Sequence, residues 1–348
     1  MEGEEMIKEA IARVVEGRDL SEEEMTAAMT EIMGGEATDA QIGALITALR
    51  IKGETVDEIV GAAKVMREKA ARVEVETSDG ILVDTCGTGG DGAGTFNVST
   101  TVVFVVAAAE IPVAKHGNRS VSSHCGSADV LEALGVNLNL TPEKIARCIK
   151  ETGIGFMFAP LMHGAMKYAI GPRREIAIRT IFNALGPLTN PAGASVQVMG
   201  VYSPDLVTPI ARVLGRLGAR RALVVWGEGN LDELTVTGET RVAEWAGEIR
   251  EYVITPEEVG LPRAGIEDIR GRDSAEGSAQ QVREILAGQE GPCLDMVCLN
   301  AGAAIMAAGR AETLQDGVAM ARGLVMDGSA AGRLAALVEV SRREGAAG

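Results

Sequence analysis

Ile81-Leu82-Val83-Asp84-Thr85-Cys86-Gly87-Thr88-Gly89-Gly90-Asp91-Gly92-Ala93-Gly94 begins with a short apolar run and ends in a glycine-rich loop. Ile81–Val83 reads as a strand, and an apolar helix is predicted from Thr100 to Glu110. Between a strand and a helix, glycines let backbone N–H groups approach an anion, and the helix offers its positive end. A plain tight turn uses the same residues. The loop is not a Walker loop, since no Lys-Ser/Thr follows its last glycine, and it matches GxGxxG poorly. Outward from it the strand–helix rhythm repeats. Strands are predicted at Ile111–Ala114, Val196–Tyr202, Arg221–Trp226, Thr240–Ala246 and Ile249–Ile254. Helices are predicted from Ser127, from Thr141-Pro142 and over Leu206–Leu217, and the chain reads as mostly helical from Ser274 onward. The expected class is α/β, with a mostly parallel central sheet covered on both faces.

The first seventy residues differ. Ser21-Glu-Glu-Glu24, Thr38-Asp-Ala-Gln41 and Thr55-Val-Asp-Glu58 are three capping boxes, and Gly17, Gly34-Gly35 and Gly53 mark the stops. Four short helices are expected. Thr152 to Leu185 shows helical segments and no clear strand, so the chain is expected to leave the sheet there and pack on the first helices. This gives a small helical domain of residues 1–72, completed by about 152–185. The larger α/β domain is then 73–151 and 186–348.

The 348 residues carry 46% hydrophobic residues, only 3% aromatics and a formal net charge of −16. The charge opposes nucleic-acid binding, which needs a basic face. Five widely spaced cysteines without a CxxC pair argue for reduced thiols and against zinc, and point to a cytoplasmic protein. The N-terminal Met-Glu-Gly-Glu-Glu lacks the pattern of a signal peptide, and no apolar run is long enough to span a bilayer.

Three further clusters carry chemistry. Asn97-Val98-Ser99-Thr100 offers hydroxyls for a phosphate or a hard cation, although Asn and Ser there also suit a helix cap. Lys115-His116-Gly117-Asn118-Arg119 stands at a strand end, where open α/β sheets bind ligands, and runs on through Ser120, Val121, Ser122, Ser123, His124 and Ser127. A solvated charge run is the competing reading. Asp232-Glu233 follows a strand and suits Mg²⁺, which takes one or two carboxylates plus substrate phosphates; a solvated loop pair is the alternative.

These motifs, together with Gly186-Pro-Leu-Thr-Asn-Pro191, occur in the order found in anthranilate phosphoribosyltransferases, and the chain resembles that family over nearly its whole length. The resemblance implies a nucleoside phosphorylase/phosphoribosyltransferase-like fold and a homodimer. It implies transfer of the phosphoribosyl group of phosphoribosyl diphosphate (PRPP) to the amine of anthranilate, in tryptophan biosynthesis. PRPP would be bound by Gly87, Gly90, Asp91, Thr95, Asn97, Val98, Ser99 and Thr100. Lys115, His116, Gly117, Asn118, Arg119, Ser120, Val121, Ser122 and Ser123 would wrap its phosphates, with Ser127 at their edge. Ser99, Asp232 and Glu233 would hold Mg²⁺, two ions per subunit, arriving with PRPP. Gly87, Asn118 and Arg173 would meet anthranilate, Arg173 pairing its carboxylate, and His163 and Pro187 would line its path. His124 receives no role. No residue is required as a general base; His116 is a candidate, and a structural histidine is the alternative. The rival enzyme, a pyrimidine nucleoside phosphorylase, is expected to carry a His-Thr-Gly-Gly-like loop where this chain has Ser123-His124-Cys125-Gly126. A nucleic-acid-binding relative of the same fold is opposed by the acidic balance.

Overall fold

A computed structural model describes residues 6–89, 92–119 and 125–346. The chain opens with helices α1 (Met6–Val15), α2 (Glu22–Gly34), α3 (Asp39–Lys52) and α4 (Val56–Lys69). All three capping boxes form, each side chain accepting from the N3 amide while the N3 side chain accepts from the cap amide. Each cap is worth ~1 kcal/mol of helix stability. Glu58 does more than cap. Fully buried, it accepts from the Leu20 amide at 3.0 Å and from Lys52 Nζ at 3.0 Å, fastening α4 to the α1–α2 connection and to the end of α3. Gly61 lets α4 lie against α2, because a Cβ there would press into the Glu22 carbonyl at 2.6 Å.

The sheet and its helices follow as β1 (Val83–Gly87), α5 (Val98–Ala108), β2 (Val113–Gly117), α6 (Ser127–Leu134), α7 (Pro142–Thr152) and β3 (Ile154–Phe158). Then come α8 (Ala159–Met162), α9 (Lys167–Ile176), α10 (Ile181–Leu188), β4 (Val196–Gly200), α11 (Val207–Arg216) and β5 (Arg221–Gly227). The antiparallel pair β6 (Thr240–Trp245) and β7 (Ile249–Ile254) precedes α12 (Ala275–Leu286), α13 (Pro292–Ala307), α14 (Leu314–Met326) and α15 (Ser329–Ala346). Strand order is β3-β2-β1-β4-β5-β6-β7, parallel from β3 to β5 and antiparallel beyond. Alternate residues of β4 and β5 divide between two cores. Val196, Val198, Leu223 and Val225 join α5 and α12–α15; Met199, Ala222 and Val224 join α1–α4, α10 and α11. No helix among the described residues is long and apolar enough to cross a membrane.

The structure corrects three sequence expectations. The first two strands lie later than predicted, so Asp84-Thr85-Cys86 and Lys115-His116 are inside strands and not beyond them. Their polar groups find buried partners, which keeps them in the ladder. The expectation of no strand between 152 and 185 is also corrected. β3 pairs in parallel with β2 from Ile154↔Val113 to Phe158↔Gly117, and the chain leaves the sheet only after it, with α9 then packing on α3 and α2. Gly155 and Met157 hide this strand from propensity, yet the glycine is needed: a Cβ there would crowd Ile145 and Ile149 of α7.

Candidate active site

β1 is hydrogen-bonded to β2 on one side and β4 on the other, and from it the order runs outward in both directions. The crevice beyond the carboxyl ends of such strands is where open α/β sheets bind ligands. Gly87 and Gly200 end β1 and β4 there, and the Asp232-Glu233 loop descends onto both. A Cβ at Gly87 would overlap Asp232 Oδ2, and one at Gly200 would overlap the Asp232 carbonyl oxygen. Thr88 N–H donates to the Gly200 carbonyl at 3.0 Å, and Thr88 Oγ1 accepts from the Tyr202 amide at 3.1 Å, which fixes the start of the glycine loop. Gly200→Ala is expected to push the carboxylate loop off the strand ends. A loss of about 1–3 kcal/mol in stability by denaturant unfolding should accompany a loss of turnover.

The carboxylates meet the anion donors directly. Gly89 N–H donates to Asp232 Oδ2 at 2.7 Å, and Ser99 N–H, in the first turn of α5, donates to Glu233 Oε1 at 3.2 Å. Lys115, only 2% exposed, donates from Nζ to the Thr85 carbonyl at 2.7 Å and to Ser99 Oγ at 3.3 Å. Ser99, Lys115, Asp232, Glu233 and the Gly87–Gly89 turn are thus one cluster. Asn97 sits at the α5 cap position but its side chain does not cap; Nδ2 donates to the Cys125 carbonyl at 3.1 Å, tying the two anion loops together. Val98 and Thr100 are buried, Val98 in the core, so Val98 offers a ligand only its backbone. Thr95 forms an antiparallel bridge to Arg270, which anchors the far end of the glycine loop.

Along the second loop, Gly117 leaves room for Ser127 Oγ and the Phe156 ring. Ser127 opens α6, and its hydroxyl donates to the Asn118 carbonyl at 3.2 Å. The Asn118 side chain accepts from the Arg119 amide at 2.8 Å. Arg119 is exposed and turned to Asp129 and Glu132 at 2.9 and 2.8 Å, so engaging a phosphate would require it to exchange partners. Gly90, Asp91, Ser120, Val121, Ser122, Ser123 and His124 lie outside the described residues.

His116 faces the other way from Lys115. Its Nδ1 is 3.2 Å from the Gly186 carbonyl oxygen and its Nε2 is 3.1 Å from His163 Nε2. A carbonyl only accepts, so His116 carries its proton on Nδ1 and His163 donates to its Nε2. Burial pushes both imidazoles down, His116 to about 3 and His163 to about 4, so both are neutral near pH 7. Arg173 on α9 is half-buried, its guanidinium 5.0 Å from the Phe182 ring centroid. Burial lowers its pKa, and no carboxylate among the described residues pairs with it. Arg179, which had no role in the sequence reading, and Asn190, quoted there without one, complete the region. Arg179 donates to the Gly89 carbonyl at 3.1 Å and stacks on Tyr202 at 4.2 Å, while Asn190 donates to the buried carboxylate of Asp84 at 2.8 Å. Asn190 lies in the quoted Gly186–Pro191 motif; a charged residue inside an apolar strand was the signal for Asp84.

Residues 79–331 match the glycosyl transferase family a/b domain, and residues 8–70 its helical bundle domain. An anthranilate phosphoribosyltransferase of Desulfotalea psychrophila is 62% identical over 95% of this chain and 96% of its own length. The chain belongs to the anthranilate phosphoribosyltransferase family. The crystal structure of the Thermus thermophilus anthranilate phosphoribosyltransferase superposes with a TM-score of 0.91 at 46% identity, over 96% of this chain and 99% of that one. The Saccharomyces cerevisiae anthranilate phosphoribosyltransferase, solved in complex with PRPP and Mg, shares the fold, with a TM-score of 0.88 at 23% identity over 97% of this chain and 99% of that one.

Proposed function

We propose that this chain transfers the phosphoribosyl group of PRPP to the amine of anthranilate, giving N-(5-phosphoribosyl)anthranilate and diphosphate. The observation that carries the reading is the seating of Asp232 on the Gly89 amide of the glycine loop and of Glu233 on the Ser99 amide in the first turn of α5. A diphosphate brought to those donors meets two carboxylates and is repelled unless a cation lies between. Mg²⁺ fits this donor set of hard oxygens from Asp232, Glu233 and Ser99. The rest of the ion's shell would come from substrate phosphates and water. Two Mg²⁺ per subunit are proposed. When bound, Mg²⁺ would offset the charge that develops on the leaving diphosphate.

The protein's own part is placement. Gly89 and Ser99 amides, Lys115 and the α5 N-terminus would draw the phosphate oxygens, with the remaining loop residues named above around them. As the C1–O bond to diphosphate breaks, the amine lone pair forms the new C1–N bond, and the nitrogen then loses one proton. Arg173 would fix the anthranilate carboxylate through a two-pronged contact, with His163 and Pro187 along its path. The same reading divides the chain into a helical unit of residues 1–72, completed after β3 up to about 185, and an α/β unit carrying the PRPP loops. A cytoplasmic site of action in tryptophan biosynthesis goes with it.

Turnover of anthranilate with PRPP and Mg²⁺, beside none of a pyrimidine nucleoside with phosphate, is the expected result; the reverse pattern overturns the reading. A homodimer through the helical unit is also expected. Val15 on α1 and Ile51 on α3 are 69% and 83% exposed on adjoining helices, apolar side chains that a second copy would cover. Light scattering should give twice the chain mass, and a monomer at working concentration would remove this part.

A further inference from the structure

The carboxylate of Asp84 is buried inside β1 and touches none of the residues assigned to either substrate through its own functional groups except by a backbone bond. Successive strand side chains alternate between faces. Thr85 points toward α5, where its hydroxyl donates to the Ser99 carbonyl at 3.1 Å. Asp84 and Cys86 point to the opposite face, where α10 ends. There Asp84 Oδ2 accepts from Asn190 Nδ2 at 2.8 Å, and Oδ1 lies 3.4 Å from the His116 amide. The same Asn190 amide group donates to the Ala114 carbonyl at 2.8 Å.

Through Asn190 this carboxylate holds one end of a tethered segment. Gln197 Nε2 donates to the Pro187 carbonyl at 2.7 Å, Arg67 Nε to the Leu188 carbonyl at 2.7 Å, and the Gly186 carbonyl faces His116 Nδ1. Each of these donors is a side chain reaching in from another element, and they add to what the last turn of α10 and Thr189 supply, the Thr189 amide and hydroxyl also donating to the Gly186 carbonyl at 3.3 and 3.1 Å. The carbonyl at the head of the segment decides which nitrogen of His116 carries the proton. That choice passes to His163, which must donate from Nε2 and so keeps a lone pair on Nδ1; Nδ1 makes no hydrogen bond among the described residues.

We propose that Asp84 is a positioning residue for the acceptor-amine side of the site: through Asn190 it holds residues 186–190 so that the Gly186 carbonyl locks His116 as its Nδ1–H tautomer and leaves His163 Nδ1 to accept an N–H from an aromatic amine. The acceptor role rests on the reaction proposed above; the tautomer does not. The electrostatics agree. Burial pushes the Asp84 carboxyl up to about 6, against the pull of Lys115 and the Asn190 and His116 hydrogen bonds, so it is ionised and accepting at pH 7.

The chain has three histidines, which makes ¹⁵N-histidine NMR decisive, with signals assigned by replacing each in turn. At pH 7 His116 is expected with Nδ1 protonated and Nε2 bare. In Asp84→Asn one of the two accepting oxygens becomes an NH₂ donor, so the Asn190 side chain and the His116 amide can no longer both be accepted; the His116 signals should shift to mixed tautomers and the KM for anthranilate should rise about tenfold. The KM for PRPP should stay within about twofold, because Lys115 and the Gly89 and Ser99 amides gather on the α5 side of β1, away from Asp84. A wild-type His116 protonated on Nε2, or cationic, overturns the proposal. So does a folded variant that keeps tautomer and anthranilate KM while losing only thermal stability, or one that weakens both substrates equally. If Asp84→Asn does not fold, Asn190→Ser carries the same expectations, and the wild-type tautomer needs no variant. Should the protein lack transferase activity, the NMR arm still decides the lock separately from the reaction.

Discussion

Replacing Asp232 and Glu233 together by alanine is expected to lower turnover at low Mg²⁺ by on the order of 10²–10³-fold while the protein stays folded. The reason lies in what the two side chains touch. They take the Gly89 and Ser99 amides, the donors a diphosphate needs, and the chain as a whole carries a net charge of −16. Without a cation the pair repels the substrate; with one it becomes the protein's share of the ion's ligands. Removing it should therefore weaken the apparent affinity for Mg²⁺, and raising Mg²⁺ should restore part of the rate. Both carboxylates sit in a loop over glycines, so their loss opens no core cavity, and circular dichroism should match wild type. Unchanged turnover and unchanged Mg²⁺ dependence in the folded double variant would show that the pair is only a solvated turn.

Arg173→Ala is expected to raise the KM for anthranilate by roughly 10- to 100-fold, the range for losing a charge-assisted bond to a carboxylate, with a much smaller effect on PRPP. A half-buried guanidinium whose pKa burial lowers, with no carboxylate beside it among the described residues, costs the fold stability. Its stacking on Phe182 offsets part of that cost and holds the plane of the group. Arg173→Lys keeps the charge and loses the planar fork, so it should recover only part of the affinity. Equal effects on both substrates, or none, would return Arg173 to a structural role.

The places where the sequence was readable share a physical character. The capping boxes of α2, α3 and α4 are local: cap and partner are three residues apart, so Ser21, Thr38 and Thr55 announce their helices without tertiary help. The glycine loop was legible because it joins a strand to a helix, whereas Lys115 and His116 lie inside β2. What stayed hidden depends on contacts far along the chain. Asp84 and Thr85 look like the start of a loop, yet Asn190 and Ser99 supply their partners and β4 pairs with them residue by residue. β3 lacks the β-branched pattern that marks a strand, and its place at the sheet edge follows from β2. The gathering of Asp232 and Glu233 onto Gly89 and Ser99 spans more than a hundred residues. From sequence those carboxylates suited either Mg²⁺ or a solvated loop pair; folding seats them on the Gly89 and Ser99 amides. Arg119 points the opposite lesson, since the structure gives it Asp129 and Glu132 where a phosphate was expected.

In the proposed reaction a new bond forms between the anthranilate nitrogen and the sugar as diphosphate departs. The direct measurement follows both events in one sample of purified protein with PRPP, Mg²⁺ and anthranilate: loss of anthranilate fluorescence, and diphosphate appearing by ³¹P NMR. One diphosphate released per anthranilate consumed, and none released when anthranilate is withheld, is the predicted result. Diphosphate released at the same rate without anthranilate, or no consumption of either substrate by the folded, Mg²⁺-supplied protein, would contradict it.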